Sequence, residues 1–262
     1  MLVGKDLGAI WKRKGIRALL MVLPVILVVI LPLTYFVAIS LFPVPKNTSF
    51  SDSIQTLLSE KSGEYGYRQF WLDAFTTLLC PLLFLMVPVV CAVASASCAF
   101  VGEKENGTLE TLFLTSMNPK SVFSAKITTC SLISVAISLV SFLAFSIIAS
   151  VADLLLSAPY FFNLEWLVTV LFLMPVLALF SVTFVSLVLP RVYSVGESLQ
   201  TMGYLILPFI LLYLAQFTGI FQINALLLIG LAVLLAVFSI LLFNLSSRKF
   251  QADYLLTKEA ED

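Results

Sequence analysis

The chain has 262 residues, 60% of them hydrophobic and only 11% charged, with 15 basic and 15 acidic residues and no histidine. Soluble domains are about 45–50% apolar and about 25% charged, so this composition excludes a water-soluble fold and points to an all-α polytopic membrane protein. Zero net charge gives no reason to expect a nucleic-acid partner, and the missing histidine removes imidazole metal sites and Ser-His-Asp catalysis.

Residues 1–17 carry Lys5, Lys12, Arg13, Lys14 and Arg17, with Val3, Leu7, Ile10 and Trp11 on one helical face. That pattern predicts an interfacial helix along the membrane surface, or else an ordinary basic flank to the first span. The first apolar stretch is too long for the core of a cleavable signal and has no clear cleavage site, so it is expected to be a span. Stretches long enough to cross a bilayer lie at 18–42, 74–101, 121–150, 164–189, 198–217 and 224–244. Together they make one transmembrane domain, 1–262. The spans hold Pro24, Pro32, Pro81, Pro88, Pro175 and Pro208, which either mark kinks or are merely tolerated among neighbouring helices.

Segments 1–17, 101–126, 190–197 and 245–262 contain 12 of the 15 Lys and Arg residues. The positive-inside rule then places both termini in the cytosol of a cell inner or plasma membrane, which six spans also require. Segment 43–73 is therefore expected outside. It has a short amphipathic stretch around Ile54–Leu58, and Tyr65, Tyr67, Phe70 and Trp71 form an aromatic group at re-entry, read as an interface belt or as a contact for cargo. Residues 245–262 form a cytosolic tail.

Span 3 carries Ser131, Ser134, Ser138 and Ser141 at helical spacing, either a close-packing face or the wall of a polar path. Ala92–Ala99 in span 2 reads the same way. Pro190 ends span 4, and Ser194 with Glu197 forms a capping box that opens span 5. Cys80, Cys91, Cys98 and Cys130 lie in or beside apolar spans without a CxxC pair and are read as packing residues; no metal site is expected. Glu165 and Asp153 sit at outer ends of spans, and the span interiors lack ionisable groups, which argues against an ion-coupled carrier or channel, the alternative reading. No P-loop is present, so any ATPase must be a separate polypeptide.

The longest cytosolic break between spans is the loop 103–118. Asn106-Gly107 is a turn dipeptide; Leu109, Leu112 and Phe113 share one face with Glu110 opposite; Asn118-Pro119 starts the next helix. A helix of about two turns is predicted, too short to be stable undocked. The run Glu103-Lys-Glu-Asn-Gly-Thr-Leu-Glu110, continuing to Pro119 and Lys126, resembles the signature loop of type-2 ABC transporter permeases, an exporter family with the pattern E-x-E-x-G-T-L-E. The resemblance implies a permease that pairs with a second copy or a homologous permease, and that moves amphipathic or hydrophobic cargo outward. It implies that Glu103, Glu105, Gly107, Thr108, Leu109 and Glu110, with Leu112 and Phe113 for apolar contact, form a coupling site on a separate ABC ATPase. Glu103 and Glu110 would pair there with basic groups. The permease itself would be no enzyme and hold no cofactor, since ATP and Mg would sit on the ATPase; its remaining partner is membrane lipid.

Overall fold

The computed structural model describes residue 8 and residues 13–41, 67–105, 107, 119–156, 160–217 and 224–259. Among these described residues, six helices are long and apolar enough to cross a membrane. We label them α1 (Lys14–Leu41), α2 (Arg68–Glu105), α3 (Pro119–Leu156), α4 (Leu164–Val188), α5 (Val195–Leu199 and Thr201–Phe217) and α6 (Ala225–Glu259). No strand occurs among the described residues. The chain is an all-α, multi-pass membrane protein.

The helices pack up and down, so α1, α3 and α5 start at the end of the bundle where α2, α4 and α6 finish. Arg13, Lys14, Arg17, Lys104, Lys120, Lys126, Arg191 and Arg248 gather there. The opposite end carries Asp73, Asp153 and Glu165. We call these the basic and acidic ends. The expected spans match the helices to within about six residues, with two exceptions: α2 extends past its expected bounds at both ends, and α6 continues fifteen residues beyond its expected end, so residues 245–259 of the expected tail are helical. The α2 helix begins at Tyr67, so residues 67–73, expected in an external loop, are helical. Residues 42–66 lie outside the described set, as do 1–7 and 9–12 of the expected interfacial helix.

α2 and α4 form the centre. Both contribute to the two large apolar clusters, one shared with α3, α5 and α6, the other with α1 and α3. From Val87 to Gly102 every residue of α2 is buried. The small run Ala92–Ala99 makes this possible, because short side chains let neighbours approach closely. Span 3 uses its serines similarly: Ser131, Ser134 and Ser138 are buried and Ser141 half-buried. Ser134 donates to the Pro88 carbonyl of α2 at 2.7 Å, and Ser95 returns a contact to the Cys130 carbonyl at 3.4 Å. The stripe therefore lies in the α2–α3 seam. The four cysteines are buried and free.

Both readings of the prolines occur. Three π-helical segments, Val25–Ile30, Phe75–Leu79 and Thr169–Leu173, each end two residues before a proline, namely Pro32, Pro81 and Pro175. A proline ring collides with the carbonyl four residues earlier. In all three cases that carbonyl belongs to the wider π turn, which moves it aside. Pro24, Pro88 and Pro208 sit in ordinary α-helix.

At the acidic end Trp166 of α4 joins α2, α3 and the α3–α4 connection through Phe84, Phe142, Phe145 and Phe161, with ring centroids 5.2–6.0 Å away. Tyr35 of α1 stacks on Phe75 at 3.8 Å and donates to the Trp71 carbonyl. Phe70 is 1% exposed, so this member of the expected belt faces protein rather than the membrane interface.

Candidate functional site

The last turn of α2, Gly102–Glu105, is where the chain leaves the bundle for the 103–118 loop, and its residues are tied to three other parts of the molecule. A fourth π-helical segment, Ser97–Val101, precedes it and, unlike the other three, has no proline two residues behind it. The buried Ser97 hydroxyl meets that of Ser198 at the start of α5, 2.7 Å away. Thus α2 and α5 are joined one turn before the site begins.

Glu103 Oε1 lies 2.8 Å from Lys126 Nζ, and the same ammonium donates to the Ala99 carbonyl at 2.9 Å. The Lys126 side chain is 4% exposed and that of Glu103 22%. A lysine so enclosed needs its charge answered locally, and a carboxylate plus a carbonyl do that. Lys126 reaches them because Pro119 starts α3 seven residues earlier, so α3 rises directly beside the end of α2. The Lys126 ammonium also stands 5.8 Å from the ring of Phe100.

Lys104 points the other way. Its Nζ donates to the Leu189 carbonyl at 3.1 Å and the Val192 carbonyl at 3.0 Å, and lies 4.8 Å over the Tyr193 ring. These carbonyls belong to the short turn Leu189–Val192 that follows α4, and the Leu189 carbonyl also accepts from the Val192 N–H at 3.4 Å. A cation there also suits the helix dipole. The expected capping box follows: Ser194 Oγ accepts from the Glu197 N–H at 3.2 Å. The Glu197 carboxylate reaches back to the Tyr193 N–H at 2.9 Å, one residue before the cap.

Glu105 Oε2 lies 3.6 Å from Arg13 Nη1 and 3.5 Å from the Val195 N–H. Arg13 Nη2 also approaches the Gly102 carbonyl at 3.4 Å. These distances are long and the groups about one-third exposed, so each tie is weak. Gly102 allows the approach: a Cβ there would sit 3.1 Å from Arg13 Nη2. Beyond Glu105 the chain turns at Gly107, whose φ of 68° is left-handed and whose N–H donates to the Lys104 carbonyl at 3.1 Å. That conformation is a glycine C-cap, and it falls at the expected Asn-Gly turn.

Glu103, Glu105 and Gly107 are thus gathered at the basic end. Glu103, expected to pair with a basic group of a separate ATPase, pairs with Lys126 of its own chain. Thr108, Leu109, Glu110, Leu112 and Phe113 lie outside the described residues. The sequence pattern did not single out Arg13, Lys104, Ser97 or Ser198 as members of this junction. Lys104 had a visible signal, since it stands inside the acidic run; the serines had none. No group of three or more His, Cys, Asp or Glu suited to a metal occurs among the described residues. The junction's chemistry is that of ties between helices.

Comparisons with protein-family models, with curated proteins and with solved structures find no match.

Proposed function

We propose that the chain is the transmembrane permease subunit of an ATP-driven ABC exporter, moving amphipathic or hydrophobic cargo outward. A separate ABC ATPase carries ATP and Mg, and a second permease copy or homologue completes the assembly. The reading rests on the resemblance of Glu103–Lys126 to the permease signature loop. The observation that supports it best is the junction at Gly102–Glu105. The turn that leads into the loop is tied to α3 through Lys126, to the α4–α5 connection through Lys104, and to the start of α1 through Arg13. A push received by the loop would therefore reach most of the bundle at once. In this reading Glu103, Glu105, Gly107, Thr108, Leu109 and Glu110 form the coupling site, with Leu109, Leu112 and Phe113 supplying apolar contact to the ATPase and Glu110 pairing with a basic group of it, while Glu103 also holds Lys126 within the permease. Both termini face the cytosol by the charge count.

The test is reconstitution with the co-purifying ATPase. Leu109→Asp with Leu112→Asp should leave the protein folded in the membrane and abolish cargo-stimulated ATP hydrolysis. Normal coupled transport by that double variant would defeat the assignment.

One observation favours the ion-coupled alternative. Asp153 is 5% exposed; one carboxylate oxygen accepts from the Phe161 N–H at 2.9 Å, while the other is buried with no hydrogen-bond partner. Transport by the chain alone, driven by a proton or sodium gradient and lost in Asp153→Asn, would establish that reading instead.

A further inference from the structure

Prolines account for the π-helical segments of α1 and α4 and for the first one of α2, but not for Ser97–Val101. A π turn holds one residue more than an α turn, and single π turns gather at functional places. Here the Gly102 N–H donates to the Ser97 carbonyl, five residues back rather than four. Ser97, Cys98, Ala99, Phe100 and Val101 include nothing that forbids α-helix, so the cause is not local. It lies in α3: the buried Lys126 ammonium donates to the Ala99 carbonyl, in the middle of the turn, at 2.9 Å. A side-chain donor set against the backbone ladder is one of the ways a helix is made to depart from regular winding.

The surplus residue decides which partners the next turn meets. In the present winding Glu103 faces Lys126 at 2.8 Å, Lys104 faces the Leu189 and Val192 carbonyls at 3.1 and 3.0 Å, and Glu105 faces Arg13 at 3.6 Å. Rewinding to α would carry every later residue about 100° round the axis and about 1.5 Å along it, to the place its successor now holds. Gly102 would then stand before Lys126, Glu103 before the two carbonyls, and Lys104 before Arg13. One cation would lose its carboxylate and two contacts would become repulsive. The order acid, base, acid therefore fits its surroundings in one register, and that register requires the π turn. Below the segment, Gly107 is left-handed, and no described atom lies within 4 Å of where its Cβ would be, so it supplies a second pivot.

We infer that Ser97–Val101 is a register latch: α2 carries one residue more than its path needs, and the contacts of Glu103, Lys104 and Lys126 hold that residue in the turn. Loss of those contacts lets the turn rewind and rotates the start of the 103–118 loop. The latch belongs to this chain alone and needs neither ATPase nor cargo, so it stands or falls apart from the permease reading.

The full-length protein in detergent is compared with deletion variants by thermal melting. Deleting Cys98 should turn the segment into α-helix and leave the contacts of Glu103 and Lys104 in place, so the melting temperature should stay within about 4 °C of wild type. Deleting Val87, in the buried helix well before the turn, misplaces the packed stretch from Pro88 to Ser97 and should prevent folding. Gly102→Glu, Glu103→Lys and Lys104→Glu together move the charge order one place up the chain, so that it fits the rewound register. This triple variant should fold. Deleting Cys98 from it should lower its melting temperature by more than about 10 °C, because the deletion restores the register that its charges do not fit. The inference is overturned if the Cys98 deletion is as damaging to the wild type as the Val87 deletion, if the triple variant does not fold, or if deleting Cys98 has the same effect in both backgrounds.

Discussion

Replacing Lys126 with Met tests the junction where it is tightest. Methionine keeps the length and apolar stem of lysine, so the change removes little but the ammonium. Two acceptors then lose their donor: Glu103 Oε1 at 2.8 Å and the Ala99 carbonyl at 2.9 Å. Removing one partner of a fully buried pair costs about 3–5 kcal/mol. The Glu103 side chain is 22% exposed and can recover some hydration, so the expected loss falls at or just below that range, about 2–3 kcal/mol. Unfolding by sodium dodecyl sulfate in mixed micelles reads this directly. The variant Glu103→Gln and the double variant complete a cycle, and Gln removes the charge that Lys126→Met would strand. The double variant should therefore be more stable than the sum of single effects predicts, by about 1–2 kcal/mol. A cost below about 0.5 kcal/mol for Lys126→Met, typical of surface changes, or strict additivity in the cycle would refute the claim that this pair joins α2 to α3.

Asp153 and Gly102 offer two further tests. Asp153→Ala should cost about 1–3 kcal/mol, because the buried Phe161 N–H loses its acceptor, whereas Asp153→Asn keeps an acceptor and sheds a buried charge, and should melt within about 1 kcal/mol of wild type or above it. Equal damage from both in a thermal melt would mean that the second oxygen has an essential partner. Gly102→Ala places a Cβ against the flexible tip of Arg13, so it should displace the guanidinium at a cost of less than about 1 kcal/mol. Hydrogen exchange should then quicken at the amides of residues 13–17; unchanged exchange there would rule out Arg13 as an anchor for α1.

The spans were legible because bilayer thickness imposes one length on every crossing, and apolar runs report that length directly. The capping box at Ser194 and the left-handed Gly107 were legible because both are local: a side chain or backbone angle within a few residues decides them. The start of α2 was not, for residues 67–73 are polar and aromatic, and read as loop. They are helical because tertiary contacts outweigh composition: Phe70 is buried, Tyr35 bonds to Trp71, and Gln69 donates to the Leu156 carbonyl at 3.2 Å. The junction was half legible. The acidic run announced a polar site, but the sequence contains nothing to say that Glu103 would meet Lys126, 23 positions on, rather than another protein. That pairing depends on how closely α3 climbs beside α2, a fact of packing.

The ties at the junction are unequal, and their order says how a displacement of α2 would spread. Lys126 is buried and holds two acceptors at under 3 Å. Lys104, part-buried, holds two carbonyls at 3.0 and 3.1 Å. Arg13 meets Glu105 at 3.6 Å in partial solvent, the kind of contact worth less than about 1 kcal/mol. Side chains in low dielectric with short bonds resist separation far more than exposed ones. Hence α3 and the α4–α5 connection should follow α2 as one body, and α1 should be the element that slips. The Gly102→Ala exchange measurement tests this order, since loosening must appear in α1 and be absent from the first turns of α3.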